Sequence, residues 1–160
     1  MTSLASLWDF PDPHTYYTRV LPGDIDGLNH TNNTVYVKWC EQVAWSHSVS
    51  LGLDLERYRA LDRAMAITHS EYDYLQASRE GDEVVAGTWI VSSDRKLTME
   101  RRFQVIRLDD GRAVQLRDPG GDVRTDVLPV ATKHAGIERL AAERCLHQNL
   151  SSPYDDRSTI

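Results

Sequence analysis

Gly23-Asp24-Ile25-Asp26-Gly27-Leu28-Asn29-His30-Thr31-Asn32-Asn33 runs directly into Thr34-Val35-Tyr36-Val37-Lys38-Trp39. The first part packs two carboxylates, one imidazole and three amides around Gly27, a composition that suits a turn and not a helix. The second part opens an amphipathic helix. Val35, Trp39 and Val43 repeat every four residues, and Tyr36, Cys40 and Ala44 form the adjacent row. The two rows make one wide apolar face, while Lys38, Gln42 and Ser46 point to more polar surroundings. Asn32 or Asn33 is placed to cap the helix through its side-chain oxygen. Polar chemistry gathered at a helix N-terminus suits a reaction at a carbonyl. Unpaired N–H groups and the positive end of the helix dipole receive developing negative charge. A nearby carboxylate serves as base or nucleophile.

Outward from this stretch, residues 14–21 read as a strand, with Tyr16, Tyr17, Thr18 and Val20, stopped by Pro22-Gly23. Gly52 ends the helix, and residues 54–61 form a shorter one with Asp54 as its cap. Three further strands are expected over 64–75, 82–92 and 96–108. The last alternates Leu97, Met99, Arg101, Phe103 and Val105 against Thr98, Glu100, Arg102 and Gln104, with Arg101 the one misfit on the apolar side. Gly81-Asp82 and Ser92-Ser93-Asp94 supply the turns. Weaker strand signals fall at 112–117 and 122–130, separated by Pro119-Gly120-Gly121, and residues 137–146 look helical. Strand, helix, then antiparallel strands gives an α+β domain with a helix covering one sheet face. Residues 1–13 read as an irregular lead-in, 14–150 as one domain and 151–160 as a polar tail.

The 160 residues and mixed charge fit one globular domain. A net charge of −6 disfavours general nucleic-acid binding. Residues 1–10 lack a basic start and a continuous apolar run, and no stretch reads as a membrane span. The two cysteines, Cys40 and Cys145, have no metal-ligand spacing and suggest a reducing compartment, so a cytoplasmic protein is expected. Asp24, Asp26 and His30 lie in one loop with no second cluster, so neither a metal nor an organic cofactor is expected.

The Asp24-Ile25-Asp26 and His30-Thr31-Asn32-Asn33 segments, with Tyr36, Trp39 and Glu41, resemble acyl thioesterases of hotdog fold. So do Tyr72-Asp73-Tyr74-Leu75-Gln76-Ala77 and Gly81-Asp82-Glu83-Val84. The branch is the 4-hydroxybenzoyl-CoA thioesterase-like group, to which plant acyl-carrier-protein thioesterases also belong. The resemblance covers roughly residues 15–108. It implies a long central helix wrapped by an antiparallel sheet, a homodimer or homotetramer with sites between subunits, and an acyl-CoA substrate, with an acyl-carrier-protein thioester less favoured. Two departures stand out. Leu28 occupies a position that is often asparagine in the plant enzymes. Residues 113–135 are too charged for the family's last strand, with Arg117, Asp118, Asp122, Arg124 and Asp126.

The resemblance implies Asp26 as the catalytic carboxylate, nucleophile or general base. The competing reading is an Asp-Gly turn residue that only satisfies local amides. His30 either orients water, bonds Asp26 or protonates the leaving thiolate, or is a loop histidine without chemistry. The backbone amides of Asn32, Asn33 and Thr34 are the expected oxyanion donors. Tyr36, Trp39 and Val43 belong to the core and are expected to line the acyl pocket. Glu41 is either a second carboxylate of the site or a solvated residue. Arg95, Lys96, Arg101 and Arg102 are the expected contacts to CoA phosphates, or a charged strand edge. The rival functions are an enoyl-CoA hydratase or dehydratase of the same fold and a non-catalytic acyl-thioester-binding scaffold. The first lacks its usual proline before His30.

Overall fold

In a computed structural model, the structure describes residues 4–62, 65–67, 69–94 and 98–109, together with the backbone of 112–115 and 127–129. The helix starts where its cap dictates. Asn32 Oδ1 accepts the Thr34 N–H at 2.9 Å, and α1 runs Asn33–Ser50. It stops at Gly52, whose φ of 81° favours a residue without a side chain. Asp54 then caps α2, Leu55–Ala60, by accepting the Arg57 N–H at 2.8 Å.

Strands β1 (His14–Arg19), β3 (Glu83–Ser93), β4 (Met99–Arg107) and β5 (Arg112–Gln115) form one antiparallel sheet in the order β1-β3-β4-β5. A separate ladder joins β2 (Met65–Ile67) to β6 (Val127–Pro129), also antiparallel. Helix α1 lies on the inner face of the larger sheet. Its Val35, Tyr36, Trp39, Cys40 and Val43 pack with Val20, Val84, Ala86 and Val105 into the main core. The alternation read from β4 holds in space. Met99, Arg101 and Val105 are buried, with Met99 and Val105 packed in the core and Arg101 reaching His47 of α1.

The outer face of β3 is closed from the N-terminus. Leu4–Leu7 forms a 3-10 turn, so the lead-in is more ordered than its prolines suggest. Trp8 meets Trp89 edge-on at 5.7 Å, and Phe10 also lies against Trp89. Trp8 fits because residue 87 is glycine: a Cβ there would lie 2.7 Å from the indole. Gln104 fixes the segment at two points. Its Oε1 accepts the Asp9 N–H, and its amide nitrogen donates to the Leu7 carbonyl.

The strand expected over 64–75 is corrected. Among the described residues only Met65–Ile67 pairs, and the chain from 69 to 82 has no ladder partner there. The tyrosines that suggested a strand pack on the helix side: Tyr72 meets the main core, and Tyr74 meets Tyr36 edge-on at 5.9 Å. The helix and tail expected over 137–146 and 151–160 lie outside the described residues. So does most of the charged 113–135 stretch.

Candidate active site

The loop before α1 is a small closed hairpin. Ile25 and Thr31 form an isolated antiparallel bridge. Within it, the Asp26 N–H donates to the His30 carbonyl at 2.8 Å, and the Asn29 N–H donates to the Asp26 carbonyl at 3.1 Å. Asn29 takes a φ of 61°, a left-handed value that asparagine tolerates. The Asp26 side chain completes the lock. Its Oδ1 accepts the N–H of Leu28 at 2.8 Å and that of His30 at 3.2 Å. Asp26 therefore does the turn work its Asp-Gly sequence suggests, through one oxygen. Among the described residues Oδ2 has no donor. The His30 contact to Asp26 is made by backbone, and the half-buried imidazole has no hydrogen-bond partner among the described residues.

The three amides expected as oxyanion donors are not equivalent. Asn32 N–H donates to the Asp24 carbonyl at 2.8 Å. Thr34 N–H is taken by the Asn32 cap. Asn33 N–H is the one left without an acceptor among the described residues. The Asp24 carboxylate accepts the Leu21 N–H at 2.9 Å and so shapes the loop entrance.

The loop is tied down from the far side by a buried hydroxyl cluster that the sequence reading missed. Thr31 Oγ1 and Tyr36 OH lie 2.7 and 2.8 Å from Ser78 Oγ, and the Ser78 N–H donates to Tyr36 OH at 2.9 Å. Thr31 also exchanges with Ser78 through backbone, its N–H donating to the Ser78 carbonyl at 2.9 Å. Each of these groups is buried, so each bond removes a desolvated donor or acceptor. No local pattern marks Ser78, which lies 42 residues from Tyr36.

Tyr36, Trp39 and Val43 are 2 %, 3 % and 0 % exposed, so in this chain they form a closed core beneath the loop. Glu41 stands on the exposed side of α1. Tyr74 lies across the start of α1, its hydroxyl donating to the Asn33 carbonyl at 3.3 Å.

The basic residues divide. Arg101 is corrected: it is 4 % exposed and reaches inward, with a guanidinium nitrogen 3.0 Å from His47 Nδ1 and 3.3 Å from Thr88 Oγ1. It cannot meet a phosphate at the surface. The strict alternation of β4 carried that signal. Arg102 points to the other face, paired with Glu100 at 3.2 Å and lying 5.2 Å from the Phe10 ring centre. Arg95 and Lys96 lie outside the described residues.

Arg101 belongs to a second polar cluster at the other end of α1. His14 stacks on His47 with ring centres 4.9 Å apart, and His14 Nε2 lies 2.9 Å from Ser46 Oγ. Arg101 donates to His47 Nδ1, so His47 is neutral there. Burial first, then the charge of Arg101, then His14, push the His47 pKa down to about 3. His14 is lowered by burial and by Arg101. Among the described residues no three His, Cys, Asp or Glu side chains gather as metal ligands. No described helix is long and apolar enough to cross a membrane.

A family profile described as the thioesterase-like superfamily matches residues 20–130. Protein THEM6 of Danio rerio is 33% identical over 86 residues, 53% of this chain and 42% of that protein, so the match spans less than half the length of this curated relative. A hypothetical protein from Staphylococcus aureus, determined in complex with CoA, superposes with a TM-score of 0.72 at 18% identity, over 93% of this chain and 88% of that one. A 1,4-dihydroxy-2-naphthoyl-CoA thioesterase from Synechocystis gives 0.64 at 15% identity, over 76% and 85%. At these identities the likeness is one of fold, and the fold is the hotdog: a long helix held in an antiparallel sheet.

Proposed function

The chain belongs to the thioesterase-like superfamily, and on that premise we propose that it hydrolyses acyl-CoA thioesters to a carboxylic acid and the CoA thiol. The observation that carries the proposal is Asp26, locked through Oδ1 at the entrance to α1 with Oδ2 left open. A carboxylate fixed by two backbone donors is oriented before substrate arrives, which is where positioning gains rate. Oδ2 either adds to the thioester carbonyl or takes a proton from the water that does. The carbonyl oxygen becomes negative and is met by the Asn33 N–H at the positive end of α1. Collapse breaks the C–S bond, and the proton removed from water is relayed through the His30 imidazole to the departing sulfur. Where Oδ2 itself adds, the product is an acyl-Asp26 anhydride, which water then cleaves to release the acid and restore the carboxylate; in both routes water supplies the oxygen of the acid, and no cofactor enters the balance.

CoA is preferred over an acyl carrier protein because one structural relative was determined with CoA and another is named as a CoA thioesterase. With Arg101 internal and Arg102 paired, Arg95 and Lys96 remain the candidates for the CoA phosphates. A homodimer is supported by exposed apolar side chains: Trp45 and Val49 stand one turn apart on α1, and Trp45 stacks on Tyr58, whose hydroxyl reaches Met65 of β2. Exposed apolar side chains close together on a helix favour pairing with another chain. Cytoplasmic placement is supported by Cys40, a buried free thiol.

The test is thiol release from a panel of acyl-CoA substrates by the purified protein. Release with at least one of them, absent in a buffer control, is expected. No release from aliphatic and aromatic acyl-CoA alike would overturn the proposal.

A further inference from the structure

The buried hydroxyls of Thr31, Tyr36 and Ser78 have one consistent arrangement of protons. The Ser78 carbonyl can only accept, so the Thr31 hydroxyl directs its proton there at 3.0 Å. The Ser78 hydroxyl then donates to Thr31 Oγ1, the Tyr36 hydroxyl donates to Ser78 Oγ, and the Ser78 N–H donates to Tyr36 OH. Each hydroxyl gives one bond and receives one, so the ring closes with Ser78 at its hub. Ser78 is itself held in place. Arg107, at the end of β4, donates to the Ala77 carbonyl and lies 3.5 Å from the Asp82 carboxylate, which accepts the Arg79 N–H at 2.9 Å. The Gly81 N–H donates to the Val20 carbonyl, and the Val20 N–H to the Asp82 carbonyl, just past β1. The turn carrying Ser78 is thereby fixed to two strands of the sheet. What it holds in turn is Thr31. Thr31 bridges to Ile25, the residue before Asp26, and is followed by the Asn32 cap and the Asn33 N–H. A shift of Thr31 therefore moves the Asp26 carboxylate and the first amide of α1 relative to each other.

We infer that Ser78 is a positioning residue for thioester hydrolysis: through its hydroxyl ring with Thr31 and Tyr36 it sets where the Asp26 carboxylate stands relative to the Asn33 N–H. The inference rests on the thioesterase reading and deepens it. Ser78 touches no reacting atom and acts only through geometry, where a misplacement of about 1 Å costs about 10²-fold in rate. All three side chains of the ring are buried, so none of them is open to bind substrate. Loss of the ring should therefore lower kcat and leave the KM for acyl-CoA unchanged.

The test compares the native full chain with Ser78→Ala, Thr31→Val and Thr31→Ser on one acyl-CoA that the native chain hydrolyses. Ser78→Ala removes the hub and leaves the Tyr36 proton without its acceptor. Thr31→Val keeps the shape and the backbone bond to Ser78 but loses the hydroxyl, and it carries the test if Ser78→Ala does not fold. Thr31→Ser keeps the hydroxyl and loses only a methyl. Rates are taken per folded molecule, from unfolding curves of each variant. Ser78→Ala and Thr31→Val should lose about 10- to 100-fold in kcat with KM unchanged, and Thr31→Ser should keep native kcat. By NMR, the Leu28 and His30 amides, held by Asp26 Oδ1, should exchange about 10-fold faster in the first two variants and at the native rate in Thr31→Ser. Native kcat in Thr31→Val, or an equal loss in Thr31→Ser, overturns the role of the ring and leaves the thioesterase reading intact. A loss seen in KM and not in kcat overturns it also. A native chain that releases no thiol from any acyl-CoA sinks both.

Discussion

Acidification should destabilise this protein through His47, by an amount fixed by the structure. The ring stacks on His14 and meets Arg101 through Nδ1; Arg101 in turn reaches Thr88, and His14 reaches Ser46. Its Nδ1 accepts from Arg101, so a proton there would break that bond and place two cations in contact. The folded pKa of about 3 lies below the ordinary histidine value of 6.5. Between these values the unfolded chain binds the extra proton, so stability rises with pH and is lost as pH falls below about 6.5. From about pH 7.5 to about pH 5 the loss is about 2 kcal/mol at ~1.4 kcal/mol per pH unit. That figure depends little on the folded value, because any folded pKa well below 5 gives the same loss over this range. His14, also lowered, acts in the same direction. The assay is urea unfolding at a series of pH values, for the native sequence and for His47→Gln. The variant keeps an acceptor for Arg101 and cannot titrate, so its dependence on pH should be flatter by that amount. Parallel losses in the two proteins would refute the reasoning.

Asp26→Asn keeps an oxygen for the Leu28 and His30 amides and should fold normally, yet lose thioester hydrolysis by at least ~10²-fold in a thiol-release assay. Trp39→Ala removes a ring that is almost wholly buried beside Tyr36 and should cost about 3–5 kcal/mol in chemical unfolding. Gly87→Ala puts a Cβ 2.7 Å from Trp8 and should lift residues 4–13 from the sheet, seen as faster hydrogen exchange there, with α1 still protected.

The strands and helices of the central domain were legible because their signals are local. Period-two alternation located β4, and a run of β-favouring residues between turn signals located β3, each to within a few residues. The four-residue apolar rows, the asparagine cap and Gly52 located α1. The alternation also placed Arg101 on the inner face, although its expected role at a phosphate required the surface. The strand expected over 64–75 failed for a reason no local pattern reveals. A β-signal in tyrosines is equally a signal for packing, and which one applies depends on whether a neighbouring strand is present to pair.

The sequence by itself determined the loop before α1, its cap and the helix that follows, because turn geometry and helix capping involve residues within four or five positions of each other. It also offered both readings of Asp26. Only the tertiary structure showed which oxygen serves the turn: Oδ1 accepts two backbone N–H groups, and Oδ2 has no donor among the described residues. Only tertiary structure joined Thr31 and Tyr36 to Ser78, His14 to His47, and Trp8 to Gly87. Those contacts lie 33 to 79 residues apart, counted as 47 minus 14 and 87 minus 8. They form because the sheet order β1-β3-β4-β5 brings distant segments onto α1 and onto the sheet's outer face. Side chains separated by that much chain carry no periodic signature, and their pairing follows from which surfaces the fold brings together.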